Sequence, residues 1–311
     1  MATKVLVTKV LVIKVLVINS GMHEKNKQGL IRLLQEHQPE KEKEKEIKYK
    51  FGSVAEIPEY DIIYSPSQTI NTSLYPQQKF IFGPHFSTFP NHSQLQSLQN
   101  HVHHNSIYIQ PSDWVVQLWK NMGAEQFLPV KTFAFPVDTD KFKPCTNPNP
   151  IKDKVLIYSK HRNPNELHYL TDFLHQQQIT NYRIFDYHQR YQEDDYLAYL
   201  QQSKYGIILD AHESQGFAIE EALACDVPLL VWNAQTMNQE YNSQYHPIPC
   251  TSIPYWNDQC GEYFHHPNEL PATFHLFQSK LQAQKFNPRQ YILDNLSSEK
   301  CAERFMTLFN F

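Results

Sequence analysis

Cysteine is sparse in this chain. Five residues, Cys145, Cys225, Cys250, Cys260 and Cys301, are spread over 311 positions, and no two form a C-x-x-C pair. The odd number and wide spacing argue against a disulfide framework and for a reduced, cytoplasmic setting. Long apolar runs are also missing. Crossing a membrane takes about 20 predominantly apolar residues. Residues 1–18 repeat KVLV three times, but Lys4, Lys9 and Lys14 interrupt each stretch and no small-residue cleavage site follows. Neither a transmembrane segment nor a secretory leader is expected. The last copy, Ile13–Ile18, reads as the first core strand. Positive charge is not in excess: 28 Lys and Arg face 32 Asp and Glu, for a net charge of −4. That balance excludes the basic stripe of a nucleic-acid partner. The one dense charge run, PEKEKEKEIKYK, alternates in sign and reads as a solvated surface segment.

What is present suffices for real cores, with 41% hydrophobic and 13% aromatic residues. The length predicts two domains of about 150 residues each. The chain is organised around Tyr205–Asn233, YGIILDAHESQGFAIEEALACDVPLLVWN. Tyr205–Leu209 reads as a buried strand ending at Asp210. Gly216 supplies a turn that other residues resist. Phe217–Cys225 reads as a helix, which Asp226 and Pro228 stop, and Leu229–Trp232 as the next buried strand. This is a βαβ crossover, whose loop and helix start lie at the carboxyl edge of a parallel sheet, where ligands bind. Glu213 stands in the loop and Glu221 two turns into the helix. The amides of Gln215, Gly216 and Phe217 would carry the positive end of the helix dipole, suited to a phosphate.

The string ESQGFAIEE followed by ALACDVPLL resembles the E-x7-E signature of retaining GT-B glycosyltransferases of the family-4 type, with Ser214, Gly216, Ala222, Ala224 and Pro228 in place. PSDWVVQLWKNMG resembles that family's P-S-x-W…G element, with Ser112 as N-cap and Gly123 as stop. FPVDTDKFKP resembles the segment by which GT-B enzymes leave their first domain. The Asp138–Asp140 D-x-D is therefore assigned to a hinge rather than to a metal site. The resemblance covers the second half well and the first patchily, and the chain's end also resembles short glycosyltransferases of large DNA viruses.

The resemblance implies an α/β GT-B fold, two Rossmann-like domains facing across a cleft. Residues 1–148 would form the acceptor-side domain and 149–290 the nucleotide-sugar domain. Residues 291–311 would be a helical tail crossing back to the first. It implies transfer of a hexose or pentose from a UDP-, GDP- or ADP-sugar to a glycan, protein or lipid hydroxyl, with retention. Glu213 would contact the sugar and Glu221 the ribose, with Ser214, Gln215, Gly216 and Phe217 at the donor. His85 would contact the sugar or acceptor. Lys160 stands at the first position of a basic pair that grips the diphosphate. Asn165 occupies the second, so the pair is complete only if Arg162 substitutes. The first-domain glycine-rich loop, which in the resembled family approaches the donor phosphates, is reduced to Gly21 and Gly29, with Gly21 at the donor. No cofactor and no metal are expected. The histidines of HVHH lack acids at metal spacing, and His265 and His266 read as a strand-end cap. Two other readings stay open, a non-catalytic nucleotide-sugar-binding or glycan-binding module and a GT-B epimerase or phosphorylase.

Overall fold

The computed structural model describes residues 11–18, 21–36, 45–84, 90–146 and 152–310. The chain divides into two compact units, Met1–Pro136 with Ser298–Phe311, and Val137–Ser297. The first crossing falls inside FPVDTD. From there the chain is held to the second unit by Arg289, whose guanidinium donates to the carbonyls of Thr139, Phe142 and Ala224.

In the first unit the elements run β1 (Leu11–Ile18), α1 (Glu24–Glu36), β2 (Lys45–Gly52), β3 (Ile62–Ser65) and β4 (Lys79–Phe82). They continue α2 (His92–Gln99), β5 (Ser106–Gln110), α3 (Asp113–Asn121) and β6 (Val130–Thr132). Among the described residues they form a six-stranded parallel sheet ordered β2-β1-β3-β4-β5-β6. The inner strands are mostly apolar, as strands buried on both faces are: every residue of β3 and β5 is buried, Ser65, Ser106 and Gln110 included. On α3 the apolar positions Val115, Val116, Leu118 and Trp119 face inward, and the Trp119 ring stacks on Tyr108 with centroids 4.8 Å apart.

The charge run yields one correction. Lys45–Gly52 is an edge strand, paired in parallel with β1 from Leu11↔Lys45 to Ile18↔Gly52. Lys48 and Lys50 are exposed while Ile47, Tyr49 and Phe51 are half-buried. The alternation has the strand period of two, and the lysines that hide it also guard the edge against further pairing.

The second unit runs β7 (Lys154–Lys160), α4 (Pro164–Gln176), β8 (Tyr182–Asp186), α5 (Glu193–Leu200), β9 (Ser203–Asp210), α6 (Phe217–Ala224) and β10 (Leu229–Trp232). It ends with β11 (Gly261–Phe264), α7 (Leu270–Gln282) and α8 (Pro288–Asn295). Its parallel sheet is ordered β11-β10-β9-β7-β8. The last helix, α9 (Ser298–Thr307), returns to the first unit, where it packs on α1. Its buried Phe305 meets Tyr64 and Phe133, at centroid distances of 6.2 and 5.3 Å.

Candidate functional site

Both sheets are doubly wound, and each has one place where the strand order reverses. In the second unit it lies between β7 and β9, paired in register from Val155↔Tyr205 to Lys160↔Asp210. From β7 the chain crosses to β8 on one side; from β9 it crosses to β10 on the other. The two connections part, and the strand ends between them are left open for a ligand.

Lys160 closes β7 at that opening. Its ammonium donates to Glu213 Oε1 at 2.5 Å, and the two side chains keep 19% and 13% of their exposure. Asp210, at the end of β9, is fully buried beside them, and neither of its oxygens meets a protein donor at hydrogen-bond distance. Burial resists ionisation of Glu213, but Lys160 and a hydrogen bond from Asp210 overcome it and hold the carboxyl below its ordinary range. Burial lifts the Asp210 carboxyl well above its range; Lys160 opposes that lift and Glu213 adds to it. The two acids are thus pushed apart, the Glu213 carboxyl toward its ionised form by Lys160 and the Asp210 carboxyl toward its protonated form by burial.

A raised folded value means that Asp210 favours the native state most at low pH. That contribution fades as pH rises above the ordinary aspartate value, by up to about 1.4 kcal/mol per pH unit for one proton. Asp210→Asn is thus expected to match wild type near pH 4 and to be the more stable protein near pH 8. Urea denaturation at the two pH values checks this, and a variant destabilised more at pH 8 than at pH 4 would reverse the assignment.

Helix α6 begins beside this group. Its N-cap is Gly216 at φ 95°, a left-handed conformation that side chains rarely adopt. The loop folds back so that Gly216 lies against the Glu213 side chain. Gln215 is buried and donates to Glu220 Oε2 at 3.1 Å, which orients the loop on the helix; Ser214 and Phe217 flank it half-buried. Glu221 is buried one turn further on. The Tyr191 phenol registers the whole cluster. Burial raises it first and the Glu221 charge second, Lys160 lowers it, and Glu213 raises it again. The Tyr191 ring itself packs on Tyr158, Phe185 and Tyr196.

Arg162 lies two residues beyond Lys160 but faces inward. Its side chain has no exposure and forms a two-pronged pair with Glu166, at 2.8 and 2.7 Å. It also donates to the carbonyls of Asp210 and Trp232, at 3.1 and 3.2 Å. The guanidinium assigned by resemblance to a diphosphate is thus engaged with the ends of β9 and β10. Asn165 sits in the first turn of α4, where its amide is capped by Asn163. The second position of the basic pair carries no cation, and Lys160 stands in the opening without it.

Asp210, Tyr191 and Tyr187 were not singled out from sequence. Tyr187 is half exposed, and Lys160 Nζ lies 5.0 Å from its ring centre. The only local signal for the tyrosines is their density in YRIFDYHQRYQEDDY. Gly21 belongs to the first unit, at the end of β1, with φ 50° and Ser67 Oγ at 3.2 Å from where a Cβ would stand. That is the first sheet's own reversal point, between β1 and β3. His85 lies outside the described residues. Asp138, of the D-x-D pair, accepts the Lys141 amide at 3.0 Å in a turn. His103 packs on Phe82 and His266 is the N-cap of a short 3-10 turn. Among the described residues no group of three or more His, Cys, Asp or Glu is placed to hold a metal ion, and no helix is long and apolar enough to cross a membrane.

No protein-family model matches the sequence, and no curated protein matches it. Solved structures do match. A glycosyltransferase from Rickettsia africae aligns at TM-score 0.57 with 13% identity, over 96% of this chain and 98% of that one. A trehalose-6-phosphate protein from E. coli, bound with UDP-2-fluoro glucose, aligns at 0.58 with 10% identity, over 96% and 99%. An α-glucosyltransferase in complex with UDP and a 13-mer DNA containing a HMU base aligns at 0.56 with 11% identity, over 97% and 100%. At such identities the likeness shows the fold. The chain has two Rossmann-like α/β domains, the fold of GT-B glycosyltransferases.

Proposed function

We propose that the chain is a glycosyltransferase that moves a sugar from a nucleotide-sugar to an acceptor hydroxyl, with retention at the anomeric carbon. One observation carries the reading: the buried Lys160–Glu213 pair stands at the reversal of the second sheet, beside the start of α6 and Glu221. Breaking a sugar–diphosphate bond leaves negative charge on the diphosphate. A cation and helix amides fixed in place before the reaction stabilise that charge at little reorganisation cost. Lys160 supplies the cation and the first turn of α6 the amides. Glu213, the partner of Lys160, turns to the sugar when the diphosphate takes its place on the lysine. Glu221 binds the ribose hydroxyls. We assign no metal or other cofactor a part in the step. From the first domain, Gly21 approaches the donor phosphates and His85 contacts the sugar or acceptor. All five cysteines are free thiols, which suits a cytoplasmic enzyme.

The inward-facing Arg162 and the missing cation at Asn165 favour one other reading, a module that binds a nucleotide-sugar without turnover. Calorimetry with UDP, GDP and ADP tests the shared part of both. One of the three is expected to bind, and Glu221→Ala should weaken it by roughly 1–3 kcal/mol, the range for a lost charged hydrogen bond. The helix itself accepts alanine well. Unchanged affinity would remove Glu221 from the site, and binding by none of the three would overturn the donor reading.

A further inference from the structure

The loop between β10 and β11 closes on itself. Thr236 bridges Pro249, the Met237 amide donates to the Ile248 carbonyl and the Cys250 amide to that of Gln235. Its ends seat on the strand carrying Asp210: Ser252 Oγ donates to the Asp210 carbonyl at 2.8 Å, and the Glu213 amide donates to the Thr251 carbonyl at 3.0 Å. At its middle stands Glu240, after a short turn whose direction is set by Gln239 accepting from the Gln235 and Thr236 amides. Each Glu240 oxygen takes a different histidine. His161 Nδ1 lies 3.0 Å from Oε1 and His212 Nε2 lies 2.8 Å from Oε2.

These histidines are the immediate neighbours of the pair that defines the site. His161 follows Lys160, and His212 precedes Glu213. His161 has φ 56°, a left-handed conformation that a histidine keeps only when its surroundings hold it. They do so here, since the Tyr241 amide, next to Glu240, donates to the His161 carbonyl at 2.7 Å. One loop therefore grips the end of β7 by side chain and backbone, and the loop after β9 in the same way. Nearby charges and burial fit the bridge: hydrogen bonding from His212, opposed by burial and aided by His161, holds the Glu240 carboxyl at about 2.

We propose that Glu240 is a positioning residue, which locks the two strand-end segments together through His161 and His212 and so sets where Lys160 and Glu213 meet. The proposal rests on the reading of Lys160 as the diphosphate contact only for its effect on binding. Its structural consequence stands apart.

The test uses the full chain with Glu240→Ala and Glu240→Gln. Hydrogen exchange should rise about tenfold or more in Glu240→Ala in both segments, 160–163 and 211–216. It should rise less in Glu240→Gln, which keeps one acceptor oxygen for one histidine. Whichever of UDP, GDP or ADP binds wild type should bind Glu240→Ala about tenfold more weakly, with KM for the donor rising more than kcat falls. Partial recovery in Glu240→Gln separates this from plain destabilisation. Exchange unchanged in either segment, or affinity equal to wild type, overturns the proposal. If wild type binds none of the three, the donor reading falls, and the exchange result alone decides the role of Glu240. Should Glu240→Ala fail to fold, Glu240→Gln carries both measurements: faster exchange in both segments supports the role, and wild-type exchange overturns it.

Discussion

Arg162→Ala is expected to destabilise the second unit by about 3–5 kcal/mol, the range for breaking a buried ion pair from one side. The side chain has no exposure, and its loss is felt in three places. Glu166 loses both prongs of its partner. The carbonyls of Asp210 and Trp232, at the ends of β9 and β10, each lose the guanidinium donor at depth, and the Asp210 carbonyl is left with Ser252 Oγ. The guanidinium also lies 5.3 Å from the Trp232 ring centre, so a gap opens beside the indole. Lysine is no substitute, because an ammonium cannot reach a carboxylate and two carbonyls in one plane. For a unit of this size each kcal/mol moves the midpoint by roughly 2–4 °C, so the transition should fall by about 6–20 °C. A circular dichroism melt measures it. An unchanged midpoint with lost diphosphate binding would return Arg162 to the ligand.

Arg162 also shows where sequence reading ends. Its charge and its position after a strand are legible, and the resemblance offers that charge a diphosphate. The partner that claims it, Glu166, stands four residues on, in the first turn of α4. The two carbonyls come from 48 and 70 positions away and leave no local trace. The same division runs through the site. The run ESQGF shows its turn and its helix start because a left-handed glycine and an apolar helix face are local facts. Lys160 could be placed at a strand end for the same reason. That Lys160 and Glu213 form a pair follows only from the order of β7 and β9 in the sheet. Asp210 reads in the sequence as the stop of a strand, and the upward push on its carboxyl needs the burial that only the fold supplies. Glu240 bonds a histidine 79 positions away in a stretch with no periodicity to read. In the fold, the central strands β9 and β10 are legible because both are apolar runs buried nearly throughout. The edge strand β2 is not, because charge covers its alternation.

Glu213→Gln should change binding and turnover in opposite directions. Glu213 is the counter-ion of Lys160, bonded to its ammonium by one carboxylate oxygen. A glutamine of the same shape keeps the loop against Gly216 and removes the charge. Lys160 then meets the diphosphate without first giving up a carboxylate, and nucleoside diphosphate affinity should rise by about three- to tenfold, roughly 1 kcal/mol for a charge-assisted bond no longer in competition. Turnover should fall. Contacts to the sugar that strengthen as the glycosidic bond breaks act on the transition state alone, so their loss should cost about 10- to 1000-fold in kcat, at roughly 1.4 kcal/mol per decade. Calorimetry with the free diphosphate and a transfer assay with the matching nucleotide-sugar read the two effects separately. Weaker diphosphate binding in the variant would mean that Glu213 supports Lys160 rather than competing for it. Equal transfer rates would remove Glu213 from the reaction. If wild type and variant both bound a nucleotide-sugar, the variant more tightly, and neither released product, the site would be a binding module with its lysine held ready for a ligand it does not consume.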